Sequence, residues 1–148
     1  MREPRRFAAR VTLMLACVLV GCAPSGPPRI AAGSACDRCG MPVEDLRFAC
    51  ERRNADARDH WRVYDSIECL AAAWDRRVTI RDAWIADYDQ AALHRADSLW
   101  VARGRFPSPM GGGLAAFLDR AAAQTVASQT HGEVLRFDRL LNVPGASR

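Results

Sequence analysis

The sequence predicts an α+β fold built from two small strand–strand–helix–strand units. Two features favour this fold. Short segments carry apolar residues at every second position, as half-buried strands do, and two longer segments carry them at every third or fourth position, as helices do. Because 49% of the 148 residues are apolar, the chain can bury a core. Its length suits one domain or two small ones.

The first half is predicted to hold three strands. Leu46, Phe48 and Cys50 alternate with polar or small residues in the first strand, and residues 61–64 and 83–86 form the other two. This spacing leaves room for one helix between the second strand and the third.

That helix begins with a capping signal. Asp65 is followed three residues later by Glu68, which predicts Asp65 as the N-cap of a capping box. Apolar residues then recur at one-turn spacing, and two arginines suit the C-terminal end of the helix. The apolar face consists of Ile67, Leu70, Ala71 and Trp74, and the arginines are Arg76 and Arg77.

The second half repeats this order of elements. A strand at residues 99–102 is followed by a loop or short strand at 106–110, three glycines and a second helix. His131-Gly132 ends that helix, and residues 134–137 form a closing strand. The predicted apolar face of the second helix is Leu114, Phe117, Leu118, Ala121, Ala122 and Val126.

The N-terminus is predicted to be an export signal with a lipid attachment site. All 21 basic residues are arginine, and four of them lie in the first ten positions. The apolar stretch that follows, residues 11–20, is short for a membrane span. It leads into LVGC, which resembles a bacterial lipobox, so we expect Cys22 to be acylated. Ala23 after this cysteine favours sorting to the outer membrane.

These features divide the chain into three parts. We predict a lipoprotein signal peptide at 1–21, a lipidated flexible tether at 22–35 and a folded domain at 36–145. The tether is rich in proline, glycine and serine and shows no helical or strand period. The domain would divide into halves at about 36–90 and 91–145.

Charge and motifs exclude several classes of protein. The net charge of +4 falls to +1 without the first ten residues, so we expect no nucleic-acid partner. The nucleophile-elbow, zinc-protease and phosphate-loop motifs are absent, and the three histidines (His60, His94 and His131) are scattered. The sequence therefore predicts a protein that is not an enzyme.

The segment CDRCGM at 36–41 carries the chemistry of the chain. Cys36 and Cys39 have the spacing that lets two thiols converge, and Met41 follows in the same tight turn. Thiolate and thioether are soft donors that select Cu(I). Met110, on a proline-stiffened loop before the glycine run, is the partner we expect for Met41. The sequence thus predicts a Cu(I) site of Cys36, Cys39, Met41 and Met110.

Other roles for the cysteines remain open. Cys36 and Cys39 could form a structural disulfide, whereas a zinc knuckle would need a second ligand pair and a thioredoxin-like site a following helix. For Cys50 we rank a buried thiol first, a disulfide second and a metal ligand third. Cys69 is predicted to lie opposite the apolar face of its helix, which argues against a bond to Cys50.

In combination, four segments resemble the NosL family of bacterial lipoproteins, which are accessory to nitrous oxide reductase. The segments are CDRCGM at 36–41, VYDSIECL at 63–70, PMGGG at 109–113 and GEVLRFD at 132–138. The resemblance spans residues 36–141 and implies two ββαβ units that bind Cu(I) for delivery to the reductase. It also implies Cys39 and Met41 as metal-binding residues, with Cys36 and Met110 nearby.

We therefore expect a periplasmic Cu(I) chaperone anchored in the lipid bilayer of the outer membrane by acylated Cys22. Its client would be a copper-requiring enzyme such as nitrous oxide reductase. The alternative is a periplasmic thiol–disulfide redox lipoprotein that acts through Cys36 and Cys39.

Overall fold

A computed structural model describes residues 26–57 and 60–141 and confirms the α+β prediction. The predicted signal peptide, Cys22 and the last residues of the predicted domain lie outside these ranges. No helix of the described ranges combines the length and the apolar character that crossing a membrane requires. The elements are β1 (Cys50–Arg53), β2 (Trp61–Tyr64), α1 (Ile67–Ala72), β3 (Ala83–Ala86), β4 (Leu93–Arg95), β5 (Trp100–Arg103), β6 (Leu114–Phe117), α2 (Arg120–Gln129), β7 (Glu133–Leu135) and α3 (Phe137–Leu141).

The strands form two antiparallel sheets of matching topology. One sheet has the order β2-β1-β3-β4 and the other the order β6-β5-β7. In the first sheet, β1 pairs with β2 on one side and with β3, which follows α1, on the other. In the second sheet, β5 pairs in the same way with β6 and with β7, which follows α2. The two ββαβ units are therefore present, and β4 extends the first of them.

The first strand begins later than predicted. Residues 46–49 form turns rather than a strand, because the Asp45 carboxylate accepts the backbone N–H of Arg47 at 3.0 Å and the Asp45 carbonyl accepts that of Phe48 at 3.1 Å. Aspartate commonly stabilises turns in this way. Pairing with β2 and β3 starts at Cys50, which lies opposite Tyr64 and Ile85.

The cap of α1 differs from the prediction. Ser66, not Asp65, is the N-cap, since its hydroxyl accepts the backbone N–H of Cys69 at 3.2 Å. The helix is also short and ends at Ala72, before the two arginines that were expected to close it. Asp65 therefore lies outside the helix, where its carboxylate does not cap α1.

The second predicted helix began too early. Leu114–Phe117 forms β6, all four residues of which are buried, and α2 begins only at Arg120, with Asp119 as N-cap. An apolar run that is buried on both faces has no period that separates strand from helix. The closing strand is likewise shorter than expected, because Phe137 already belongs to α3.

The two units share one hydrophobic core. Ile85 of the first sheet and Val101 of the second belong to the same buried cluster, together with Phe137 of α3. Asp87 joins the units as well, because its carboxylate accepts the backbone N–H of Leu118 at 2.7 Å. The shared cluster and this hydrogen bond thus hold the two halves in a fixed relation.

Candidate metal centre

The CxxC segment forms a tight turn at the edge of the first sheet. The N–H of Cys36 donates to the Met41 carbonyl at 2.8 Å, and the N–H of Gly40 donates to the Cys36 carbonyl at 2.9 Å. Gly40 has a φ of 77°, which glycine adopts without strain. Asp37 ties the turn to β2, because it donates its N–H to the Val63 carbonyl and accepts the Val63 N–H at 2.7 Å.

This turn packs against the start of α1 and brings three thiols to one point. The Sγ atoms of Cys36, Cys39 and Cys69 and a carboxylate oxygen of Asp65 all lie within 4.8 Å of one another. We call these four residues the thiol–carboxylate cluster. Only Cys39 is exposed, whereas the other three members are buried. The cluster therefore has a single member at the protein surface.

Asp65 is the member of the cluster whose carboxylate has an oxygen without a hydrogen-bond partner. It is 3% exposed, and its Oδ1 atom has no hydrogen-bond partner. A buried carboxylate oxygen without a partner is costly, and a bound cation removes that cost. The unpartnered oxygen therefore fits a metal held by the neighbouring sulfur atoms.

Burial controls the protonation of the two buried cluster thiols. Burial raises the pKa of Cys36 above its ordinary value, although hydrogen bonds from the backbone of Asp65 and of the surrounding turn partly oppose this. Burial also raises the pKa of Cys69, and the adjacent Asp65 carboxylate raises it further. Both thiols are therefore protonated at neutral pH without metal, and a bound metal ion must displace their protons.

The donor set defines the metals that the cluster can hold. Three sulfur atoms favour soft or borderline ions, such as Cu(I) and Zn(II), over Mg²⁺ and Ca²⁺. The zinc-knuckle interpretation lacked a second ligand pair in the sequence, and Asp65 and Cys69 provide such a pair in the structure. Cysteine and aspartate together are compatible with a four-coordinate site.

Cys69 was placed opposite the apolar face of its helix, yet it is buried. The CxxC turn covers that side of α1, so a position that periodicity marks as outward becomes enclosed.

Cys50 is also completely buried, and its thiol donates to the Phe48 carbonyl at 3.3 Å. Burial raises its pKa well above the ordinary value. Cys50 is thus the buried thiol that was ranked first.

The two methionines of the predicted site lie at the surface. Met41 is 51% exposed and Met110 is 44% exposed, so neither packs in the core. Met41 and Asp65 line a cavity of about 550 Å³, and Pro109, the residue before Met110, lines the same cavity. The structure thus brings Cys36 and Cys39 together, and the Met41 turn and the loop of Met110 both line a cavity that Asp65 of the cluster also lines.

Sequence reasoning assigned Asp65 to the helix cap rather than to the metal site, and it left the role of Cys69 open. Asp65 and Cys69 are four residues apart, a spacing that brings two side chains to the same side of a helix end. Ser66, which lies between them, is an alternative N-cap. These two signals could have identified Asp65 as available for another role. None of the three histidines, all of which lie in the described ranges, belongs to the cluster.

Comparison with known proteins places the chain in a family. The family model NosL matches residues 27–142. The chain belongs to the NosL family. This finding confirms the resemblance, and the NosL match begins within the predicted tether, where Gly33 already donates to the Val43 carbonyl at 2.8 Å.

One solved structure supports the fold of this NosL-family chain. The chain is similar to the copper chaperone NosL from Shewanella denitrificans, with 17% identity and a TM-score of 0.66. The similarity covers 78% of this chain and 96% of the Shewanella protein. At this identity the likeness establishes the shared fold. No curated protein matches the chain.

Proposed function

We propose that this NosL-family protein is a Cu(I) chaperone, an accessory protein rather than an enzyme. The observation that carries the proposal is the cluster of three thiols and one carboxylate with only Cys39 at the surface. A site that carries Cu(I) must bind this soft ion selectively, and at least one of its ligands must be accessible for replacement by a donor of the partner protein. Family membership and the copper chaperone of the same fold support this function.

The cluster supplies a mechanism for holding and releasing Cu(I). The buried Cys36 and Cys69 hold the ion as thiolates, and Asp65 lies beside them. Cys39 is the ligand that a client's donor replaces first, because it is the exposed member. Met41 and Met110 complete our proposed ligand set at the surface, where neutral thioethers bind without losing a proton. Transfer then proceeds by stepwise ligand substitution.

Thiol–disulfide exchange through Cys36 and Cys39 is the weaker alternative. An attacking cysteine in such an enzyme needs an accessible thiolate of lowered pKa. Cys36 is buried and its pKa is raised, mainly by burial. These properties argue against Cys36 as the attacking cysteine and suit a thiol that gives up its proton to a metal.

Replacing the exposed ligand tests the proposed function. We expect the reduced protein to bind Cu(I) in competition with a chelator and Cys39→Ser to bind about 100-fold more weakly, because a metal-coordinating thiolate is lost. Only the wild type should transfer copper efficiently to metal-free nitrous oxide reductase, the client that we propose. A wild-type protein that fails to compete with the chelator would refute the function. Copper binding without transfer to the reductase would refute the client alone.

We further propose that acylated Cys22 anchors the protein to the periplasmic face of the outer membrane. The proposal rests on the LVGC segment after the basic and apolar N-terminal stretch. Cys22→Ser should abolish acylation and move the protein from the membrane fraction to the soluble fraction or leave uncleaved precursor. Mass spectrometry of the wild-type protein provides the check, since an unmodified mature Cys22 would contradict the anchor.

A further inference from the structure

The loop that carries Met110 is docked on the helix that carries Cys69. We call residues 106–113 the Met110 loop. Within it, the Ser108 hydroxyl donates to Oε1 of Glu68 at 2.9 Å and accepts the N–H of Gly113 at 2.9 Å. Glu68 directly precedes Cys69 in α1. One carboxylate thus links the second unit of the fold to the helix of the cluster.

The packing at this contact explains the glycine run. A Cβ atom on Gly112 would lie 2.6 Å from Oε1 and 2.7 Å from Cγ of Glu68, so a side chain at this position would displace either the Glu68 side chain or the loop. Gly111 and Gly113 have φ values of 71° and 64°, which favour glycine. A side chain on Gly113 would in addition overlap the carbonyl oxygen of Gly104. The glycines therefore let the loop approach Glu68 closely.

This contact limits where Met110 can be. Consecutive Cα atoms are about 3.8 Å apart, so the Cα atom of Met110 lies within about 7 Å of that of Gly112. Gly112 itself lies against Glu68. Pro109 also lines the cavity that Asp65 of the cluster lines, so the loop and the cluster face one cavity. The Gly104 N–H donates to the Gly113 carbonyl at 3.0 Å and holds the base of the loop, whereas the link to Glu68 ties the loop to α1.

We infer that Glu68 is a positioning residue that holds Met110 within reach of the metal bound by the cluster. The inference rests on the proposed function, because it assigns a role to Met110 in Cu(I) binding. Glu68 acts through the Ser108 hydroxyl and the close contact with Gly112, and it lies outside the thiol–carboxylate cluster. The motif PMGGG is thus a docking element for a thioether ligand rather than a phosphate-binding or purely structural loop.

A double-mutant cycle on the full chain tests the inference. Glu68→Ala should weaken Cu(I) binding about tenfold, which is the effect typical of a residue that orients a ligand, and Met110→Leu, which removes that ligand, should weaken it at least as much. The double variant should bind no more weakly than Met110→Leu alone, because Glu68 acts only through Met110. X-ray absorption of the Cu(I) forms should show one sulfur ligand fewer in all three variants than in the wild type.

The conservative variant separates positioning from coordination. Glu68→Gln keeps an acceptor for Ser108 and should retain wild-type affinity and sulfur count. Equal losses in Glu68→Gln and Glu68→Ala, or additive losses in the double variant, would overturn the inference. If Met110→Leu weakens binding and Glu68→Ala does not, the inference fails and the proposed function stands. If the wild type binds no Cu(I), the proposed function itself fails.

Discussion

Replacing Cys69 by alanine is expected to weaken Cu(I) binding by about 100-fold, because the buried half of the metal site loses one of its thiolates. The Sγ atom of Cys69 lies within 4.8 Å of the corresponding atoms of Cys36 and Cys39. The variant should also lose part of the pH dependence of binding. The raised pKa of Cys69 means that Cu(I) displaces a proton from it, and binding to the wild type should strengthen as the pH rises. Competition with a chelator at several pH values measures both effects.

Cys50→Ala is the matched control. Cys50 and Cys69 are both buried and belong to the same hydrophobic cluster, so both alanine variants remove a thiol from one core. Only Cys69 belongs to the thiol–carboxylate cluster. The Cys50 variant should therefore keep Cu(I) affinity within about twofold, because it changes packing near the cluster without removing a ligand. Equal losses in the two variants would show that folding, not coordination, is affected, and our assignment of Cys69 would be wrong.

Glu51→Gln is expected to stabilise the protein at pH 8 by about 3 kcal/mol more than at pH 4. Glu51 lies in β1 opposite Val63 and Trp84 and is only 1% exposed. Its Oε2 atom has no hydrogen-bond partner, and burial raises its pKa from 4.5 to about 7. Above pH 7 the folded wild type contains a buried, charged carboxylate, which the glutamine variant avoids.

The sign of this effect follows from the raised pKa. The folded state favours the neutral carboxyl group, so the corresponding stabilisation is complete below pH 4.5 and is lost as the pH rises through 7. Urea unfolding of both proteins, metal-free and reduced, at pH 4 and pH 8 measures the difference. Glu44→Gln, at an exposed position, is the control and should show no comparable change with pH. A constant difference between wild type and Glu51→Gln would contradict the buried charge.

Local patterns predicted the elements whose environment is simple. The strands at 61–64 and 83–86 have the predicted bounds, since each is a short extended segment between clear breaks. Leu114–Phe117 was misassigned because burial on both faces removes the alternation that marks a strand. Ser66 is the N-cap of α1 instead of Asp65. Serine and aspartate are both favoured at N-cap positions, so the local sequence does not decide between two adjacent candidates.

The sequence by itself determined the α+β class, the family and the CxxC turn, because these depend on local periodicity, on motifs and on residues within a few positions of one another. Only the tertiary structure decided that Asp65 and Cys69 join Cys36 and Cys39, and that Glu68 docks the Met110 loop. Each of these contacts joins residues about 30 to 40 positions apart. Such contacts depend on how α1 packs against the turn and the loop, and the pattern of any single segment carries no information about that packing.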